Sequence, residues 1–143
     1  HRYEIFLKKK NIIFINDSKA TSFEATKYAL LNSKNIYWII GGLPKKKDKI
    51  NLTNIKQNIV KSYIIGKNIN FFKKQLSNQI NFSITTDIKN TLLEIFKDIK
   101  SSTKKNATIL LSPAAASYDQ FKNFENRGDE FKKLCILYAR KFI

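Results

Sequence analysis

The sequence predicts an α/β fold that is Rossmann-like: a mostly parallel sheet of about six strands, with helices on both faces and an antiparallel edge strand. Short apolar, β-branched runs alternate along the chain with stretches whose apolar residues recur at helical spacing. This alternation is typical of parallel sheets covered by helices. Only the polar residues 8–10 separate the first two apolar runs, so we expect these to pair antiparallel. A length of 143 residues with 43% apolar content suits one domain with a packed core.

The apolar runs define the predicted strands, which are residues 2–7, 11–15, Ile36–Ile40, Val60–Ile65, Ile80–Ile84 and Thr108–Leu111. The stretches between them define the predicted helices, which are Phe23–Asn32, Leu52–Asn58, Lys67–Ser77, a helix from Ile88 to Ile99, and a helical region from Tyr118 to the end. Thr21 with Glu24 has the spacing of a capping box and starts the first helix. Thr86-Asp87 is a good start for the helix at Ile88.

The basic composition has two interpretations. Lys and Arg total 27 against 11 acids, which gives a net charge of +16. Three of the basic residues are arginines (Arg2, Arg127 and Arg140), and the lysines are spread along the chain together with many Ile, Asn and Phe residues. We interpret this as a compositional bias of a solvated surface. The alternative, a nucleic-acid-binding module, needs basic residues and exposed aromatic residues gathered on one face.

Several site classes are not expected in this chain. The four glycines fit neither the dinucleotide-binding fingerprint nor a phosphate loop. One histidine and one cysteine, His1 and Cys135, do not form a metal site. A single cysteine also excludes an internal disulfide and is compatible with a reducing cytosol. No apolar run approaches the roughly 20 residues of a membrane-spanning helix, so we expect a soluble, cytoplasmic protein.

Two polar loops indicate a binding site. Residues 16–21 (Asn-Asp-Ser-Lys-Ala-Thr) and 112–124 (Ser-Pro-Ala-Ala-Ala-Ser-Tyr-Asp-Gln-Phe-Lys-Asn-Phe) each follow a predicted strand and precede a helical pattern. In an open parallel sheet the carboxyl ends of the strands share one rim, where ligands bind. We therefore expect both loops to contribute to one site.

These loops, Gly41-Gly42 with Lys45, and residues 124–131 resemble the C-terminal domain of the Mur ligases, in the same order and at compatible spacing. The resemblance spans residues 1–143, since His1-Arg2 matches the short motif that begins that domain, and it is closest to the D-glutamate-adding branch. Two features depart from the pattern: Ala115 stands where the family often has Cys, and Lys46 and Lys47 follow Lys45.

The resemblance implies a three-domain ligase. ATP, with magnesium, phosphorylates the carboxylate of UDP-N-acetylmuramoyl-L-alanine, and the amine of D-glutamate attacks the acyl phosphate. The N-terminal UDP-binding domain and the central ATPase domain, which holds the phosphate loop and the metal ligands, are absent from this chain. We therefore expect the isolated domain to be inactive.

The resemblance also implies roles for individual residues. D-glutamate contacts fall on Thr21, Lys45, Ser117 and Phe124. Nucleotide contacts fall on Arg2, Asp17 and Lys19, with Lys19 also the candidate catalytic residue. The chemistry agrees, because the carboxylates of D-glutamate need ammonium or hydroxyl donors and the positive end of a helix. Asp17 suits a ribose hydroxyl, and Lys19 or Arg2 suits a phosphate oxygen or a developing negative charge.

Each assignment has a structural alternative. Thr21 with Glu24 and Ser117 with Gln120 both fit a capping box, so either hydroxyl can hold a helix end. Phe124 lies on an apolar stripe typical of core, and Asp17 can pair with Lys19. Lys45 can be a solvated charge, and the sequence does not choose between it, Lys46 and Lys47. The substrate can also be another amino acid, as in other Mur ligases or the folylpolyglutamate synthases.

Overall fold

A computed structural model describes residues 1–143 and contains one six-stranded sheet. The strands are β1 (Glu4–Lys9), β2 (Ile12–Asn16), β3 (Ile36–Gly41), β4 (Ile59–Ile65), β5 (Phe82–Thr86) and β6 (Ala107–Leu111). Their order across the sheet is β1-β2-β6-β3-β4-β5. Only β1 and β2 pair antiparallel, and the other pairs are parallel. The predicted α/β, Rossmann-like fold with an antiparallel edge is confirmed.

Helices cover both faces of the sheet. The four helices are α1 (Phe23–Leu31), α2 (Ile69–Leu76), α3 (Ile88–Ser101) and α4 (Phe124–Phe142). Alternate residues of β3 point to opposite faces: Trp38 packs in the core formed with α1 and α2, whereas Tyr37 and Ile39 pack in the core formed with α3 and α4. None of the helices meets the length and hydropathy that a bilayer-spanning helix requires.

Several predicted elements are wrong at their boundaries. β1 spans Glu4–Lys9 instead of residues 2–7, and α2 begins at Ile69 instead of Lys67. The helix predicted over Leu52–Asn58 is reduced to one 3-10 turn at its end, because Leu52 and Ile55 are buried as loop anchors and their spacing of three mimics a helix. β5 begins at Phe82, two residues later than predicted, because Ile80 belongs to the turn before it. α4 begins at Phe124 instead of Tyr118, because the preceding loop makes long-range contacts.

The topology places a crevice where β2 and β6 end. These neighbours pair in parallel, but the chain leaves β2 toward α1 on one face and leaves β6 toward α4 on the other. Diverging loops at such a switch point form the usual ligand crevice of open α/β sheets.

Candidate functional site

The two polar loops lie side by side. Asn16 pairs with Leu111 at the ends of β2 and β6, and the Asp17 N–H donates to the carbonyl of Leu111 at 2.8 Å. The loop after β6 is also joined to β3, because the Gly41 N–H donates to the carbonyl of Pro113 at 3.0 Å. The two motifs therefore form one rim.

Asp17 is a buried carboxylate at the centre of this rim. Its side chain accepts hydrogen bonds from the backbone N–H of Tyr3 at 2.9 Å and from the Ser112 hydroxyl at 2.6 Å. Burial raises the pKa of the Asp17 carboxyl, although the bonds from Ser112 and Tyr3 and the charge of Arg2 oppose this. The alternative pairing of Asp17 with Lys19 is wrong, because the Asp17 oxygens bind Ser112 and Tyr3 instead. A carboxylate oxygen has lone pairs for more than one donor, so Asp17 can still accept from a ligand hydroxyl.

Arg2, Asp17 and Lys19 line one open cleft of about 630 Å³. Arg2 and Lys19 are exposed, so two exposed cations flank one buried carboxylate. Tyr3, Ala20, Ala25 and Tyr28 supply the apolar part of the lining. The structure thus brings together all three residues to which nucleotide contacts were assigned.

Ser117 and Thr21 do not cap helices. The N-cap of α1 is Ser22, whose hydroxyl accepts from the N–H of Ala25 at 3.2 Å. The N-cap of α4 is Asn123, whose side chain accepts from the N–H of Asn126 at 2.7 Å. The prediction that Thr21 and Ser117 sit at the helix N-termini is therefore wrong, by one residue for Thr21 and by six for Ser117.

The capping boxes fail because their acidic or amide partners are used elsewhere. Glu24 forms an exposed ion pair with Lys27 at 3.2 Å, and Gln120 reaches the carbonyl of Thr86. Neither the Ser117 nor the Thr21 hydroxyl bonds another protein group. Because every fully enclosed polar side-chain atom has a partner, the oxygen of Ser117 reaches solvent even though the residue is only 2% exposed.

Phe124 lies at the junction of the two loops instead of in either core. Its carbonyl accepts from the Ser18 hydroxyl at 2.7 Å, and the Lys19 ammonium lies 5.9 Å from the centre of its ring. The Phe124 ring is half-buried. The structure therefore places Phe124 beside the cleft of Arg2, Asp17 and Lys19.

The loop that carries Lys45 starts next to Ser117. Leu43 and Ala116 exchange backbone hydrogen bonds of 2.8 and 2.9 Å, which places the two chains edge to edge. Gly42 is needed here because a Cβ would lie 2.3 Å from the carbonyl oxygen of Ala116. Lys45, Lys46 and Lys47 are all exposed, so the structure does not distinguish between them.

Two residues that hold the loops of the candidate site together were not predicted from the sequence. Arg127 is 1% exposed and donates to the hydroxyl and carbonyl of Ser18 and to the carbonyl of Ala115 at 2.6 to 2.9 Å. Burial lowers its pKa to about 10, so it stays charged at neutral pH. Arg127 clamps both loops, and its rarity as an arginine in a lysine-rich chain was the available signal. Asp48 joins the Lys45 loop to α1 by accepting from the Phe23 N–H at 2.9 Å.

Comparison with known proteins identifies relatives over almost the whole chain. It is 39% identical over 134 residues, or 94% of its length, to the UDP-N-acetylmuramoylalanine–D-glutamate ligase of Wolbachia sp. subsp. Brugia malayi (strain TRS). It is 40% identical over 92% of its length to the ligase of the same name from Rhizobium meliloti (strain 1021). The resemblance to the Mur ligases is confirmed. No family model matches the chain.

The match concerns only part of those Mur ligases. The chain spans 27% of the Wolbachia relative and 28% of the Rhizobium relative. This is consistent with one domain of a larger enzyme. No group of three or more His, Cys, Asp or Glu residues that could hold a metal ion is present.

Proposed function

We propose that this chain is the C-terminal domain of a Mur ligase that adds D-glutamate to UDP-N-acetylmuramoyl-L-alanine, a step in peptidoglycan-precursor synthesis. One observation carries the proposal. The cleft of Arg2, Asp17 and Lys19 adjoins Phe124, at the junction of the two polar loops, in a chain 39% identical to a ligase of that name. A nucleotide site beside an amino-acid site is what such a ligation requires.

The cleft residues fit part of a nucleotide. Arg2 and Lys19 supply donors for phosphate oxygens, and Asp17 supplies a fixed acceptor for a ribose hydroxyl. ATP provides the phosphoryl group that activates the muramoyl-alanine carboxylate. By the resemblance to the Mur ligases, we assign the metal ligands and the phosphate loop to another domain.

The amino-acid side of the site fits a dicarboxylate. The unpaired hydroxyls of Thr21 and Ser117 are donors without protein partners, and Lys45 follows shortly after the segment bonded to Ala116. Phe124 supplies an apolar surface against the carbon chain of the substrate. Lys19 lines the cleft and lies near the Phe124 ring, and its ammonium would favour negative charge that develops during the reaction.

A lysine scan in the full-length protein tests this proposal. If Lys45 bonds a D-glutamate carboxylate, Lys45→Ala lowers kcat/KM for D-glutamate about ten- to a hundredfold, the effect of losing a charge-assisted hydrogen bond. Lys46→Ala and Lys47→Ala are the matched controls and stay near the wild-type value. An equal loss of kcat/KM at all three positions would indicate that the lysines act through their combined positive charge, without a specific contact.

The choice of amino acid is tested separately. The wild-type protein is offered D-glutamate, L-glutamate and other amino acids with UDP-N-acetylmuramoyl-L-alanine and ATP. Product formation with D-glutamate supports the proposal. Ligation of a different amino acid would instead assign the chain to another branch of the family.

A further inference from the structure

The loop from Ser117 to Asn123 (the β6–α4 loop) does more than connect two elements. It extends across the carboxyl ends of β4 and β5, which lie two and three strands away from β6. The Asp119 carboxylate accepts from the backbone N–H of Lys67, just after β4, at 2.9 Å. The Gln120 amide donates to the carbonyl of Thr86, at the end of β5, at 2.7 Å. Neither contact belongs to the cleft described above.

The backbone that receives these contacts is specialised. Gly66 has φ +87°, and a Cβ there would lie 2.5 Å from the Asp119 carboxylate, so only glycine allows this approach. Thr86 has φ +69°, which is a strained conformation for a β-branched residue. Its carbonyl accepts from both Gln120 and the Gly66 N–H. Such strain persists where surrounding contacts hold it, and the hydrogen bond from Gln120 is one of these contacts.

The contacts continue to the Lys45 loop. The Asn68 side chain, next to Lys67, donates to the carbonyl of Gly42 at 2.9 Å. Gly42 precedes Leu43, which is paired with Ala116. Asp119 therefore closes a ring of contacts that starts at the Ser117 segment, passes the end of β4 and returns through Gly42 and Leu43.

We propose that Asp119 is a positioning residue. It fixes the segment that carries Ser117, residues 116–119, relative to the Lys45 loop and thereby sets the affinity for D-glutamate. The inference rests on the proposed function, because Ser117 and Lys45 are its proposed ligand contacts. Asp119 is only partly buried, so water can replace it at the Lys67 N–H. Its loss therefore loosens the loop without unfolding the domain.

The test compares Asp119→Ala and Asp119→Asn in the full-length protein. Asp119→Ala raises KM for D-glutamate about tenfold, as expected for a charge-assisted hydrogen bond, and leaves KM for ATP within about twofold. Asp119→Asn keeps an oxygen that accepts from Lys67 and recovers most of the loss. A merely structural role lowers the Tm without the selective rise of KM for D-glutamate.

Asp98→Ala is the matched control. Asp98 accepts from Lys61 at 2.9 Å and from Tyr63 at 2.6 Å, on the α3 face of the sheet and away from the rim. Its loss lowers the Tm and leaves KM for D-glutamate unchanged. An equal rise of KM in Asp98→Ala would show that KM follows stability and would overturn the inference.

The remaining outcomes separate the two proposals. An active enzyme in which Lys45→Ala impairs D-glutamate use while Asp119→Ala does not would overturn the positioning role and leave the proposed function intact. A wild-type protein that does not ligate D-glutamate would overturn both.

Discussion

The two serines near the rim give a direct test of how hydroxyls are used here. Ser22 accepts the Ala25 N–H at 3.2 Å as the N-cap of α1, whereas Ser117 bonds no protein group and lies six residues before Asn123, the N-cap of α4. Replacing an N-cap serine by alanine costs about 1 kcal/mol. In a domain of this size that free energy corresponds to a fall in Tm of about 3 °C. Ser22→Ala therefore lowers the Tm of the 143-residue chain by this amount, and Ser117→Ala leaves it nearly unchanged.

Thermal unfolding followed by circular dichroism measures both variants against the wild type. Asn123→Ala is a second positive control, because it removes the cap bond to Asn126 at 2.7 Å. In the full-length protein the order reverses: Ser117→Ala impairs D-glutamate use and Ser22→Ala does not. A fall in Tm for Ser117→Ala as large as that for Ser22→Ala would refute the assignment of Ser117 as a free donor.

Two further predictions concern the buried charges of the rim. Burial raises the pKa of Asp17, so the folded state binds a proton more readily than the unfolded state. The free energy of unfolding of the wild type therefore falls as pH rises from the ordinary carboxyl range through the raised pKa. Urea unfolding should show Asp17→Asn gaining stability relative to the wild type across that interval, and a constant difference would contradict this. Arg127→Ala removes three hydrogen bonds and lowers the free energy of unfolding by about 3 kcal/mol. Arg127→Lys recovers little of this free energy, because an ammonium lacks the guanidinium geometry. Full recovery by lysine in the same assay would show that charge alone matters.

The fold was predictable because its signal is local. Most strands of the sheet contain a short run of apolar residues, and α3 has both an apolar stripe and a cap, Asp87, that the sequence identified. The helix predicted from Leu52 failed because two buried loop anchors at a spacing of three are indistinguishable from a helical face. This loop is distinguished from a helix by the hydrogen bond from the Leu52 N–H to the side chain of Gln79, 27 residues away, at 2.8 Å and by the positive φ of Asn54.

The candidate site was predictable in its loops but not in its supports. Asp17 and Lys19 are in a polar loop after a strand, a position that the order of elements places on the rim. Arg127 and Asp119 act through partners 109 and 52 positions away in the chain, and nothing in their neighbours along the sequence indicates those contacts. The capping box at Ser117 misled for the same reason, since a long-range contact took the Gln120 side chain.

The rim couples its two candidate subsites through a shared framework. Ser18 accepts from Arg127, donates to the carbonyl of Phe124, and is the neighbour of both Asp17 and Lys19. Ser18 therefore ties the cleft of Arg2, Asp17 and Lys19 to the start of α4, and with it to the Phe124 ring beside the Lys19 ammonium. The Arg127 guanidinium is buried and hydrogen-bonded only to neutral acceptors, and the charge of the Asp119 carboxylate opposes the effect of its desolvation. The desolvation of Arg127 therefore accompanies a structural role, because this one side chain fixes both loops of the candidate site relative to each other.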